Sequence, residues 1–151
     1  MIRAATAEDD GFILGFVERF TDFELPPGRP RHVVTEGIRR DILDHLNRQP
    51  GNSFWFILEN DEGACCGFMH LQLVDDFFSE RRNCHIADLG VHPMHEGKGH
   101  AKTLLAHADE FAREHRCERL TLNVFPGNER ARDLYEAEGW DYDLLRMCKP
   151  L

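Results

Sequence analysis

The stretch Ile86-Ala87-Asp88-Leu89-Gly90-Val91-His92-Pro93-Met94-His95-Glu96-Gly97-Lys98-Gly99-His100-Ala101 limits what this chain can fold into more than any other. It reads as a β-strand that passes through a glycine-bearing turn into an amphipathic helix. The apolar stripe of that helix is Ala101, Leu104, Leu105, Ala108, Phe111 and Ala112. A helix opened in this way presents unpaired backbone N–H groups at the positive end of its dipole, which is a cradle for a phosphate or pyrophosphate. Small residues at 97, 99 and 101 let a ligand reach the main chain without meeting side chains. Two familiar phosphate patterns do not fit. The Walker A pattern needs glycine and Ser/Thr where His92 and Gly99 stand, and the dinucleotide pattern G-x-G-x-x-G fails at Lys102.

The rest of the chain alternates both periodicities. Ile2 to Ala4 reads as an edge strand, and Thr6 with Asp9 as a capping-box-like helix start, after which Phe12, Ile13, Phe16, Val17 and Phe20 share a helical face. Pro26, Pro27, Gly28 and Pro30 impose a loop. A second helix is expected from Thr35, with Ile38, Ile42 and Leu46 inward, ending at Pro50-Gly51. Ser53 to Glu59 and Cys65 to Val74 flank a polar turn and read as a hairpin. Further strands are expected at His85–Val91, Leu120–Val124 and Leu144–Cys148, with helices over Lys98–Glu114 and from Asn128 to about Glu138. The mixture predicts one α+β domain over 1–151, its sheet mixed and mainly antiparallel and flanked by helices.

Charge narrows the function. With 27 acidic against 18 basic residues the net charge is -9, which argues against nucleic-acid binding, where a basic face must displace counterions. A negative field suits a cationic partner, and serves solubility equally well. Five cysteines, an odd count with two adjacent, read as reduced thiols, and with no secretory segment the expected location is cytoplasmic. No apolar run approaches the ~20 residues of a membrane span, so no membrane partner is expected. The group His92-x-x-His95 with His100 and His85 lacks the firm spacing of a metal set, and no metal is expected.

Val91, Pro93, Gly97, Gly99 and Ala101 follow the pattern V-x-P-x-x-[R/Q]-G-x-G-x-[G/A], with Leu104-Leu105 after it. This resembles the pyrophosphate loop of the GNAT superfamily of N-acetyltransferases. Leu122-Asn123-Val124, Asn128, Ala131, Leu134-Tyr135 and Gly139-Trp140 resemble a second block of the same family, in the right order and spacing. The resemblance is firm over 84–140 and looser outside. Two positions depart from it. Glu96 stands where the family usually has Arg or Gln, and Ala87 stands where some members carry a glutamate base.

What the resemblance implies is transfer of an acetyl group from acetyl-coenzyme A, as co-substrate, to an amine by direct attack. The implied contact set is Leu89, Gly90 and Val91 for the pantetheine arm, Glu96, Gly97, Lys98, Gly99, His100, Ala101 and Lys102 at the pyrophosphate, and Asn128 and Tyr135 beside the pantetheine. Tyr135 is the implied general acid for the departing thiolate. The attacking amine must also lose a proton. Asp88, His85 and His92 lie on or near the third long strand, and strict alternation puts Asp88 and His92 on one face and His85 on the other. The residues do not choose among them; Asp88 is carried forward with Tyr135 as the catalytic assignment. The acceptor is expected over the loop from Thr21 to His32 and near Asp75 to Phe78, where Asp22, Glu24, Asp75 and Asp76 could anchor a cationic amine, although a solvated polar loop is the favoured reading of those acids. Homodimers are common among such proteins, and no sequence feature here requires one. Two other functions fit the same turn: a non-catalytic acyl-CoA sensor on the same fold, and a nucleotide-binding enzyme.

Overall fold

The computed structural model describes residues 1–151. Its centre is one five-stranded sheet in which spatial order follows chain order. The strands are β1 (Ile2–Ala4), β2 (Ser53–Glu59), β3 (Cys65–Asp75), β4 (Arg82–Val91) and β5 (Arg119–Leu122). The first three pairings are antiparallel and β4–β5 is parallel, which gives the mixed, mainly antiparallel sheet expected. The parallel pair is joined by α3 (His100–Glu114), because parallel strands need a crossover rather than a tight turn. Three further helices complete the fold: α1 (Asp10–Leu14), α2 (Arg31–Arg48) and α4 (Glu129–Ala137).

The sheet separates two cores. On one side the α3 stripe buries Leu104, Leu105, Ala108, Phe111 and Ala112 against Met69, Leu71, Cys84 and Ile86. On the other, Ile42 and Leu46 of α2 meet Ile13, Phe16, Val17, Ile57 and Phe68. Each fully buried aliphatic contributes about 1.5–3 kcal/mol, so both halves of the sequence are pinned to the same sheet.

Several boundaries differ from those read in the sequence. The first helical face is broken into 3-10 turns at Ala7–Asp9 and Val17–Thr21 around the five-residue α1; Gly11 and Gly15 weaken a continuous helix there. Helix α2 starts at Arg31, directly after Pro30, so Thr35 is interior and shares a buried hydrogen bond with Thr21 (Oγ1···Oγ1 2.8 Å). Helix α3 starts two residues late because Gly97 and Gly99 adopt φ of 74° and 81°. The strand expected at Leu144–Cys148 does not form. Leu144, Leu145 and Met147 are all exposed, so no alternation buries one face.

The capping box is present as expected, with Asp9 accepting from the Thr6 N–H at 2.8 Å. Asp9 is also gripped by Arg3 through two hydrogen bonds (2.8 and 2.9 Å), and Arg3 reaches Glu59 at 2.6 Å, tying β1 to β2. The Arg3 guanidinium, then the Thr6 N–H, hold the buried Asp9 carboxyl below the usual carboxylate range against the opposing effect of burial. A depressed folded-state value stabilises the protein above the unfolded value of about 3.9 and is lost as pH falls through the folded value. Asp9→Asn should therefore lower the melting temperature at pH 7, and the gap from wild type should narrow below about pH 4. A gap independent of pH in a series of thermal melts contradicts this.

Candidate active site

Strands β4 and β5 pair only from Asn83↔Arg119 to Ile86↔Leu122. Strand β4 continues to Val91, still paired with β3 through His70↔Asp88, Met69↔Leu89, Phe68↔Gly90 and Gly67↔Val91. Beyond Ile86 its other edge has no strand beside it. The chain after Leu122 is drawn elsewhere: Phe125 packs on Phe23 (ring centroids 5.9 Å), and Gly127 lies so close to Glu24 that a Cβ would sit 2.0 Å from its carbonyl oxygen. The result is a V-shaped opening whose wall is the free backbone edge of Leu89, Gly90 and Val91.

The turn after β4 closes this opening. Pro93–His95 forms a 3-10 turn, and Gly97 and Gly99 then take left-handed backbone conformations. A Cβ at either glycine meets nothing within 4 Å, so glycine is required here by φ rather than by crowding. The first N–H after the turn to find an intrachain acceptor is that of Thr103, bonded to the Gly99 carbonyl at 3.1 Å. Six consecutive N–H groups, from Gly97 to Lys102, have no partner in the chain. Oriented together at a helix start, they form an anion nest.

Glu96 does not face this nest as a bare charge. Its carboxylate accepts from Arg19 at 2.6 Å and from Arg130 of α4 at 3.1 Å. A carboxylate between two guanidiniums leaves net positive charge at the turn. Neither arginine was singled out from the sequence, since both come from segments remote from the motif. Lys102 leans towards Glu138 (3.4 Å). Asn128 is the α4 N-cap, accepting from the Ala131 N–H at 3.4 Å.

Tyr135 lies on α4, packed against the α3-side core with Trp140 beside it (ring centroids 5.8 Å). Burial raises its phenol above the ordinary value, which keeps it protonated at neutral pH.

The face expected for the candidate bases needs correction. In the β3–β4 register Asp88 pairs with His70 and Ile86 with Leu71, so Ala87 is the extra residue of a β-bulge. The bulge shifts alternation by one. Cys84 and Ile86 before it, and Leu89 and Val91 after it, all face the α3-side core. His85 and Asp88 therefore share the opposite face rather than dividing between the two. His92 also belongs to that side, stacking on Phe12 (6.3 Å).

Asp88 is the better supported of the three. Its carboxylate accepts from Nδ1 of the fully buried His70 at 2.9 Å, and His70 Nε2 is hydrogen-bonded to Ser53 Oγ. His70 stacks flat on Trp55 at 3.8 Å. Asp88 also lines a depression shared with Gly28, Arg29, Val33, Ile38 and Asp41. His70 gave no sequence signal, because it is one histidine in an apolar strand. His85 bonds Thr121 (2.9 Å), and burial lowers its pKa. Of the expected acidic anchors, Asp76 is spent on the N–H groups of Phe78 and Ser79 and on Asn83, and none of Asp22, Glu24, Asp75 or Asp76 lines the depression at Asp88.

No helix is long and apolar enough to cross a membrane. Residues 16–140 match the model of the acetyltransferase (GNAT) family. The chain is 36% identical over 104 residues to an uncharacterized N-acetyltransferase, YdgE, of Bacillus subtilis (strain 168); the match takes in 69% of this chain and 65% of that protein. Among solved structures, it superposes on a ribosomal-protein-alanine N-acetyltransferase from Brucella melitensis biovar Abortus 2308 with a TM-score of 0.69 at 21% identity, over 100% of this chain and 99% of that one. An AAC(6')-Iy structure in complex with a coenzyme A–acetylneamine bisubstrate analogue gives 0.68 at 19% identity, over 100% and 98%. With the nest, the parted strands and a family match across most of its length, the chain belongs to the GNAT family of acetyltransferases.

Proposed function

We propose that this chain acts as a single acetyltransferase domain, moving the acetyl group of acetyl-coenzyme A to a primary amine by direct attack within a ternary complex. The observation that carries the reading is the run of six unpartnered N–H groups from Gly97 to Lys102 at the mouth of the parted strands. The pyrophosphate occupies that nest, helped by the net positive charge of the Arg19–Glu96–Arg130 group. The pantetheine arm runs along the free edge of Leu89 to Val91 as an added strand, with Asn128 alongside. The bisubstrate complex of the AAC(6')-Iy neighbour supports both a coenzyme A donor and an amine acceptor.

The acceptor amine enters from the α2 side, at the depression that the largely buried Asp88 lines. Asp88 takes the ammonium proton directly or through water, freeing the nitrogen lone pair to attack the thioester carbonyl. His70 is a positioning residue: buried, flat against Trp55 and bonded to Ser53, it holds the carboxylate in place. When the tetrahedral intermediate collapses, Tyr135 donates its proton to the leaving thiolate. The raised phenol value keeps that proton available, and transfer relies on geometry because a free thiol is the stronger acid. The mixed charges of the depression, with Arg29 beside Asp41 and Asp88, fit a polar amine without selecting one substrate.

Calorimetric titration should give one coenzyme A site per chain. Gly99→Val, which forces a β-branched residue to φ near 81°, should weaken it about tenfold, from a strain of about 1–2 kcal/mol. Absence of any coenzyme A affinity in the wild type overturns the reading. Tyr135→Phe should lower kcat by about a hundredfold with coenzyme A affinity unchanged; full turnover in that variant removes the role. Asp88→Asn should also lower kcat by about a hundredfold. His70→Gln should lower kcat while leaving coenzyme A affinity intact, and unchanged turnover restricts His70 to a structural part. Binding of acetyl-coenzyme A with no amine-dependent thiol release, across a panel of amines, favours the sensor instead.

A further inference from the structure

Cys66 lies in the β2–β3 pairing at an irregularity. Leu58 pairs with Gly67 and Glu59 with Cys65, so Cys66 is skipped in the register. Such a bulge re-aims a side chain. Cys66 joins the α3-side core, fully buried, and not the face that regular alternation assigns it. Its main chain meets the start of the phosphate turn directly, the His92 N–H donating to the Cys66 carbonyl at 2.7 Å.

Two imidazoles of that turn converge on the thiol. His95 ends the 3-10 turn and His100 opens α3, and both are partly buried. The Sγ of Cys66 and a ring nitrogen from each histidine all lie within 4.8 Å of one another. Cys66 comes from β3 and both histidines from the turn between β4 and α3, so the fold and not helical spacing brings the thiol to the imidazoles.

We propose that Cys66, His95 and His100 form a zinc site beneath the phosphate turn, with a fourth coordination position left open. One thiolate and two imidazoles are donors that the borderline-soft Zn²⁺ takes, and three protein ligands with an open fourth position is the arrangement of its non-structural sites. Tetrahedral coordination, with Zn–S of about 2.3 Å and Zn–N of about 2.0–2.1 Å, brings the donors to about 3.3–3.6 Å from one another. The contraction from the present spacing is at most about 1.5 Å, within reach of rotations about the side-chain torsions. The Cys66 thiol, which now donates weakly to the Ala64 carbonyl (3.4 Å), gives up its proton to solvent on binding. The bound ion staples the turn that contains Gly97 and Gly99 to strand β3. The site needs no acyl transfer to exist, so it is tested without coenzyme A.

The full-length chain, stripped with a chelator and kept reduced, is titrated with Co²⁺ and then with Zn²⁺. Expected is one equivalent of Co²⁺ with the near-ultraviolet charge-transfer absorption of a cobalt–thiolate bond, displaced by Zn²⁺. Cys66→Ala should abolish that absorption, whereas Cys148→Ser, at an exposed thiol, should retain it. Because Cys66 is in the core, His95→Gln and His100→Gln on the rim provide the independent reading. Each, with wild-type circular dichroism, should weaken Co²⁺ by more than about tenfold. Binding without a thiolate band, a band that survives Cys66→Ala, or undiminished affinity in both histidine variants overturns the site. Coenzyme A affinity of the metal-free protein is a separate measurement, so loss of the zinc site leaves the acetyltransferase reading standing.

Discussion

The parting of β4 from β5 is the constraint on which the rest of the site depends. A parallel pair that stayed zipped would satisfy the β4 edge with β5 and leave no main chain for a ligand. Here pairing stops at Ile86↔Leu122, and the cause lies on the β5 side. The chain beyond Leu122 is held by the Phe23–Phe125 contact and by the close approach of Gly127 to the Glu24 carbonyl. The N-terminal loop thus does more than cover the sheet: it keeps the opening from closing. Sheet edges are normally paired or covered, and here the edge of Leu89 to Val91 is left open inside the fold.

The second device is the bulge at Ala87. By inserting one residue it turns Asp88 and His85 to the face of α2 while Leu89 and Val91 continue to fill the core against α3. Without it, Asp88 would share the α3 side of Ile86 and would be buried without His70. The bulge therefore separates the two sides of the strand. Its backbone edge stays open beyond Ile86, and the Asp88 side chain is presented on the face of α2. This also gives a physical account of Ala87. The position of the glutamate base in some relatives is here the extra residue of the bulge, and the carboxylate sits one residue further on.

Much of the fold was legible in the sequence. The α3 stripe, the hairpin and the glycine turn are local patterns with fixed periods, and each appears within a few residues of its expected place. What was hidden was long-range or irregular. Strict alternation missed both bulges, at Cys66 and at Ala87, because a bulge is a property of a pairing and not of one strand. His70 was hidden for a related reason: its significance comes only from the partner opposite it, Asp88. The expected terminal strand failed because Leu144, Leu145 and Met147 have apolar character but no sheet edge to pair with. Proline and glycine marked the ends of α2 and the start of α3 to within four residues, since backbone restrictions are local.

Glu96 shows how a departure from a family pattern can be absorbed. A lone carboxylate beside a pyrophosphate repels it, and the family's arginine or glutamine avoids that cost. In this chain the carboxylate instead draws in Arg19 from the N-terminal segment and Arg130 from α4. Each exposed pair contributes little to stability, at most about 1 kcal/mol. Their value lies in position. Glu96 becomes the anchor that holds two long, flexible cations at the turn, where the family pattern has a single arginine or glutamine. The same pairing links the N-terminal segment and α4 to the turn between β4 and α3. Charge that elsewhere comes from one side chain is here assembled from three, so the electrostatics of this turn depend on the tertiary fold and not on the motif alone.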